Sequence, residues 1–267
     1  MPPEFEVHHF TYGALTPLLA YGLSVVGSLL GLHFTAQAQA TADRGERIWW
    51  LVGGSVALGG TAIWVMHFVG MLGFSVSGAD LAYGVPLTLF SVLLSVGFVG
   101  AGLFLVGFGL PVTVGGPVAG IGVVAMHYTG MAAMNLGAET SYDLTIVALS
   151  VVIAVVAATA ALFFAVKVKG RLSTLGAALV MGVAVSGMHY TGMFALDVHS
   201  VSAGPVEGAD PVHLLIPLTG AVSVVTAILC GFVGGSGGSA GREKAGAAKD
   251  PGREPIPPTD QPFHRDW

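Results

Sequence analysis

The sequence predicts an all-α fold: a polytopic membrane protein whose seven transmembrane helices form a bundle of repeated two-helix units plus one extra helix. Three observations predict it. Only 9% of the 267 residues are charged while 54% are hydrophobic, about a third of the charge usual in a soluble domain, and mean hydropathy is +0.79. Seven apolar segments reach the length of about 20 residues that a bilayer crossing requires. A signature built on Met-His recurs three times inside those segments, with the histidines 60 and 62 residues apart, which marks an internally repeated unit.

The spans fall near residues 12–38, 48–73, 83–107, 111–135, 144–166, 174–196 and 212–233. The first follows Met1-Pro2-Pro3-Glu4-Phe5-Glu6, an acidic start that lacks the basic flank of a cleaved signal peptide and leads into a full-length span. It carries Gly27 and Gly31, and the fourth span carries Gly116 and Gly120. Glycines four apart on a membrane helix predict close helix packing. The second span holds the first copy of the signature, Met66-His67-Phe68-Val69-Gly70-Met71. Gly109-Leu110-Pro111 joins the third and fourth spans as a tight hairpin. The fourth holds Met126-His127-Tyr128-Thr129-Gly130-Met131, and the sixth, beyond an uncharged fifth, holds Met188-His189-Tyr190-Thr191-Gly192-Met193. The seventh contains Cys230, the one cysteine. A single cysteine excludes a disulfide framework, a Cys-x-x-Cys pair and a c-type haem attachment, and reads as a core residue. After Val233 a Gly-Gly-Ser-Gly-Gly-Ser run opens a stretch rich in Gly, Pro and mixed charge. Residues 1–233 are therefore expected to form one membrane domain and 234–267 a disordered cytoplasmic tail, too short for a folded enzymatic domain.

Basic residues set the expected orientation. All ten Lys and Arg fall in three segments: Arg44 and Arg47 between spans one and two, Lys167, Lys169 and Arg171 between five and six, and Arg242, Lys244, Lys249, Arg253 and Arg265 in the tail. With seven crossings these share one side, which the positive-inside rule assigns to the cytoplasm, leaving the N-terminus outside. The outer segments hold Glu4, Glu6, Asp80, Glu139, Asp143, Asp197, Glu207 and Asp210, an acidic face able to gather cations.

Spans two, four and six all run outward, so His67, His127 and His189 are expected at one depth near the outer edge of the hydrocarbon layer. In each copy the histidine and the second methionine are four residues apart, so His67/Met71, His127/Met131 and His189/Met193 share helix faces. The first methionines, Met66, Met126 and Met188, point about 100° away and are expected to pack against a neighbour or close the site. Neutral imidazole with thioether sulfur, without carboxylate or thiolate, suits a soft or borderline ion, and copper is the best match, Cu(I) above all. Zinc seldom uses methionine, and calcium and magnesium want oxygen ligands. Tyr128, Tyr190, Thr129 and Thr191 are positioned to hydrogen-bond the free ring nitrogens or each other, and the following glycine to admit a facing helix. The first copy departs here, with Phe68 and Val69 in place of hydroxyl residues. The competing reading is that a buried histidine makes an ordinary hydrogen bond and methionine fills a core. Recurrence at matched depth favours ligands, although duplication copies packing elements too. Of the other histidines, His33 is read as capping or snorkelling near the inner end of span one, and His8, His9, His199 and His213 as outer-face residues.

On these residues the sequence resembles the MHYT domain, a bacterial integral-membrane sensor module. Met126 to Thr129 and Met188 to Thr191 reproduce its motif letter for letter, Met66 to Val69 is a looser copy, and the resemblance spans about residues 10 to 233. It implies copper held by His67, His127 and His189 with their adjoining methionines near the outer face, and sensing of a diatomic gas such as oxygen, carbon monoxide or nitric oxide. Many relatives continue into cyclic-di-GMP synthase or phosphodiesterase domains or histidine kinases. This sequence runs instead into its short tail, so no enzymatic activity is expected and the partners are the bilayer and an unidentified cytoplasmic signalling protein. Other classes remain open. A b-type haem protein would use facing histidines or a His/Met pair. A copper transporter would need ligands through the inner half, which offers mainly His33 and Met181. A structural subunit would bind no metal. A retinal photoreceptor is excluded by the lack of a lysine in span seven for the Schiff base. No catalytic grouping, phosphate-binding loop or nucleic-acid signature is present.

Overall fold

The computed structural model describes residues 6–201 and 205–247. Seven helices in it are long and apolar enough to cross a membrane: α1 (Leu15–Ala40), α2 (Arg44–Met71), α3 (Val85–Gly107), α4 (Val112–Ala132), α5 (Leu144–Lys167), α6 (Arg171–Met193) and α7, which begins at Pro211. The chain is an all-α, multi-pass membrane protein, and every span start lies within four residues of its sequence expectation. Local chemistry sets several starts. Asp43 accepts from the Glu46 amide at 2.7 Å, Asp143 from Thr145 and Ile146 at 2.7 and 3.3 Å, and Asp210 from Val212 and His213 at 2.9 and 3.0 Å. Each satisfies amides that a helix N-terminus leaves unpaired. Between α5 and α6, Gly170 holds φ of 91°, where a side chain would strain the turn.

The seventh helix differs from expectation at its far end. Helical backbone runs from Pro211 to Ala247, through the Gly-Gly-Ser stretch where an irregular tail was expected from 234. The Ala, Arg, Glu and Lys residues between 240 and 247 are strong helix formers, which offsets the glycines before them. The remainder of that expected tail, 248–267, lies outside the described residues. Residues up to Ala227 form one compact unit, and those from Ile228 a second.

Helix α2 is the centre of the bundle. Of its apolar stretch 72% is buried, against 44% for α4 and 33% for α6. Polar side chains fasten it to its neighbours: Trp64 Nε1 donates to Ser91 Oγ on α3 at 2.9 Å, Ser95 Oγ donates to the Gly59 carbonyl at 2.7 Å, and Thr61 pairs with Thr226 on α7. Between Val56 and Val65 this helix is π-helical, a rare geometry that gathers at functional sites and that no feature of the sequence announced. The expected small-residue contacts are present. A Cβ on Gly27 would strike the backbone of Ala62, one on Gly116 would strike Thr159, and one on Gly120 would strike Val155.

The two ends of the bundle are built differently. At the end carrying the basic loops, Gln39 Nε2 on α1 donates to the Ala165 carbonyl on α5 at 2.8 Å, and Arg44 lies over the Phe108 ring at 5.6 Å. The opposite end, where the Met-His segments terminate, is covered by three short antiparallel ladders that the sequence did not predict. β1 (Val7–His8) pairs with β2 (Ser75–Val76), β3 (Leu81–Tyr83) with β4 (Met134–Leu136), and β5 (Ala138–Tyr142) with β6 (Leu196–Val201). They tie together the connections that follow the three motif helices.

Candidate functional site

Each copy of the signature occupies the last turn or two of its helix, α2, α4 or α6, and all three face the bundle axis. His67 is 0% exposed and His127 and His189 are 1% exposed. The three imidazoles meet. His67 Nδ1 lies 2.9 Å from His189 Nδ1 and 3.2 Å from His127 Nδ1, and one ring nitrogen of each is within 4.8 Å of the others. The rings stand edge to face, with centroids 4.8 to 5.4 Å apart and interplanar angles of 78 to 89°. His67 is the shared member, touching both others through one nitrogen. In neutral tautomers one Nδ1 of each touching pair carries the proton and the other accepts it.

The motif glycines explain how three rings fit. A Cβ on Gly130 would overlap Nε2 of His67, one on Gly192 would overlap Nε2 of His127, and one on Gly70 would overlap Nε2 of His189. Each copy therefore provides, three residues after its own histidine, the notch that receives the histidine of another copy. The notches run in a closed cycle, from the first copy to the second, to the third and back. The glycine was expected to admit a facing helix, and it admits an imidazole instead. No periodicity within one copy reveals this; only the constancy of glycine at that offset in all three was a signal.

The expected hydroxyl support is not there. Tyr128 donates to Ser150 Oγ at 2.7 Å, Ser150 passing its own proton to the Val147 carbonyl, and Thr191 Oγ1 donates to the Gly187 carbonyl at 2.7 Å. The Tyr190 hydroxyl and Nε2 of His67, His127 and His189 are buried without a hydrogen-bond partner among the described residues. Helix geometry is the reason. A side chain one residue after the histidine leaves the axis by about 100°, so tyrosine points toward neighbouring helices rather than back to the ring. All six motif methionines are buried, Met66, Met71, Met126, Met131, Met188 and Met193, and none makes a hydrogen bond to an imidazole among the described residues.

Above the cluster His9 is half-buried, its ring 4.5 Å from Phe194 and 5.7 Å from Phe74. Burial holds its pKa below the ordinary histidine value. His8, His199 and His213 stay near the surface, in contact with Ser77, Ser141 and Asp210. His33 lies far from the cluster, beside Gln37 at 3.4 Å and in a groove shared with Lys169 and Arg171.

A converging set of three buried imidazole nitrogens has the donor chemistry to hold a cation. At the usual metal–imidazole bond of about 2.0 Å, three nitrogens round one ion stand roughly 3.3–3.5 Å apart. The two short separations, 2.9 and 3.2 Å, fall short of that range, so the rings would have to move apart by a few tenths of an ångström to hold an ion.

The family model for the MHYT repeat, described as a bacterial signalling protein N-terminal repeat, matches residues 60–114 and 120–178. These stretches contain the first two copies of the signature. Over 189 residues, 67% of this chain, the sequence is 42% identical to the bifunctional diguanylate cyclase/cyclic di-GMP phosphodiesterase MucR of Pseudomonas aeruginosa, covering 27% of that protein. It is 39% identical to the cyclic di-GMP phosphodiesterase NbdA of the same organism over 79% of this chain and 28% of the relative. It is 29% identical to the signaling protein YkoW of Bacillus subtilis over 74% of this chain and 26% of the relative. The chain thus spans little more than a quarter of the length of these curated relatives. No solved structure matches it.

Proposed function

Because the chain belongs to the MHYT family of bacterial membrane signalling proteins, we propose that it is a sensor module whose receptor site is the His67–His127–His189 cluster, loaded with a copper ion. One observation carries this reading: three fully buried imidazoles from three helices bring their Nδ1 atoms together, with no carboxylate, lysine or arginine partner among the described residues. Burial favours neutral imidazole, the form that ligates. A donor set of nitrogen with nearby thioether and no oxygen favours copper over zinc, calcium or magnesium. The six motif methionines serve as the sulfur reserve of the site, recruited when the rings open. Contact between rings argues for an ion rather than haem, since a macrocycle would have to enter between two imidazoles whose nitrogens are 2.9 Å apart.

In this reading the bound ion supplies a coordination position or a redox change that answers to a diatomic gas such as oxygen, carbon monoxide or nitric oxide. The protein's own residues do the rest. The glycine notches fix the ring positions, so any change in ring separation displaces α4 or α6 against α2. The basic loop Lys167–Arg171, at the opposite end of the bundle and assigned to the cytoplasm by its charge, carries that displacement to a signalling partner. The N-terminus and the cluster then face outward in the cytoplasmic membrane. The cyclic-di-GMP activities named for two relatives belong to proteins of which this chain spans little more than a quarter.

Elemental analysis of detergent-purified protein tests the core of this proposal, with His67→Ala, His127→Ala and His189→Ala alongside. Near-stoichiometric copper that falls in all three variants supports it. Metal content that ignores the substitutions returns the cluster to a packing role, and a Soret band in the visible spectrum would replace the ion with haem.

A further inference from the structure

One helical turn below the cluster lies a partly enclosed cavity of about 40 Å³. Its roof is set by the repeat itself. Ile63, Val123 and Val185 all line it, and each stands four residues before one of the three histidines. The upper rim of the cavity therefore lies about 6 Å beneath the cluster. Met188, adjacent to His189, also faces it, while the small side chains of Ala154 and Ala158 on α5 leave the space open.

The wall decides what can enter. Ser28 is the one polar side chain among the described lining residues, fully buried, with no hydrogen-bond partner for its Oγ. A buried water needs two to four polar partners, and a single hydroxyl falls short, so water gains nothing by entering. Yet the volume exceeds the roughly 10–15 Å³ that one water-sized guest requires. A cavity too apolar for water and too large to be closed by packing suits a small apolar molecule, as dry hydrophobic cavities in other proteins do.

We propose that this cavity is a docking site for a neutral, apolar guest of diatomic size, held directly beneath the histidine cluster. The biological meaning of the site rests on the sensing role proposed above, but its existence rests on the cavity alone. It places a gas ligand next to the receptor centre before any bond to it forms, with the side chain of Met188 beside both.

Xenon is a suitable probe, because it is apolar, neutral and makes no hydrogen bonds. The experiment follows saturable xenon binding by 129Xe NMR on the purified full chain, with copper content measured on the same samples. Wild-type protein is expected to show a saturable component that Ala158→Phe abolishes by filling the space, with copper unchanged. Val185→Ala, which enlarges the cavity, is expected to strengthen binding and covers the case in which the phenylalanine variant does not fold. Xenon uptake that is wholly non-saturable, or that neither variant alters, overturns the proposal. Loss of copper binding without loss of the xenon component overturns the metal reading and leaves this site standing.

Discussion

The three motif helices carry nearly the same six residues, yet α2 lives in a different environment from α4 and α6. Phe68 is 0% exposed and packed between Trp64 and Tyr83, at 4.8 and 6.0 Å. Its counterparts Tyr128 and Tyr190 are only partly buried. A tyrosine at the central position would bury a hydroxyl among apolar rings, whereas at the outer positions it reaches a partner such as Ser150 or the edge of the bundle. The departures in the first copy are therefore adaptations to burial and do not mark a decayed site. What all three helices keep is the histidine, the glycine notch and the buried flanking methionines.

This contrast between hub and satellites can be broken most decisively at the rings. His67 contacts both other imidazoles through Nδ1, while His127 and His189 each contact His67. His67→Ala is expected to reduce bound copper to background, and His127→Ala or His189→Ala to leave weaker residual binding at two-nitrogen sites, as read by metal titration. Equal losses in all three would dissolve the hub.

Next come the notches. Gly70→Ala, Gly130→Ala and Gly192→Ala each force a methyl onto an imidazole and are expected to destabilise by about 1–3 kcal/mol through overpacking. Gly97→Ala, with open space around it, is expected to be neutral or to stabilise by about 0.5–1 kcal/mol because alanine favours helix. Thermal unfolding in detergent separates the two classes, and a neutral result at all three notches would refute the interlock.

A finer comparison exchanges the aromatic residues. Phe68→Tyr is expected to cost about 1–3 kcal/mol as an unsatisfied buried hydroxyl, Tyr128→Phe about 1 kcal/mol for the lost bond to Ser150, and Tyr190→Phe nothing or a small gain. Similar costs at all three positions would show that burial is not what distinguishes the copies.

The smallest effect lies at the exposed start of α5. Backbone amides of Thr145 and Ile146 hold the Asp143 carboxyl below its ordinary value of 3.8. Its contribution is therefore complete above that value and disappears as pH falls below it through the folded-state pKa. Asp143→Asn should flatten the acid limb of the melting-temperature profile without touching copper content. An unchanged limb would remove the cap from the account.

Much of this was legible in the chain. Seven spans follow from length and apolarity alone, and the coincidence of His67, His127 and His189 followed from helix direction and equal depth, because backbone rise is uniform. Other features were hidden for physical reasons. Strands of two to six residues such as Val7–His8 and Leu196–Val201 are stabilised by partners distant in sequence and leave no periodic trace. The π-helical stretch before Met66 depends on packing around α2. The pairing of Gly130 with His67, rather than with a facing backbone, depends on helix rotation, which hydropathy does not report. Helical backbone past Val233 draws on the Ala, Arg, Glu and Lys that follow the glycines, a propensity that the glycine content masks.

The cyclic glycine notches have a consequence for how the protein is made. During membrane insertion His67 emerges first and cannot reach its seat on Gly130 until α4 has entered the bilayer. Nor can His189 reach Gly70 until α6 follows. Closure is thus a late event that needs every repeat present, and a chain that stops short of α6 leaves His127 without its seat on Gly192.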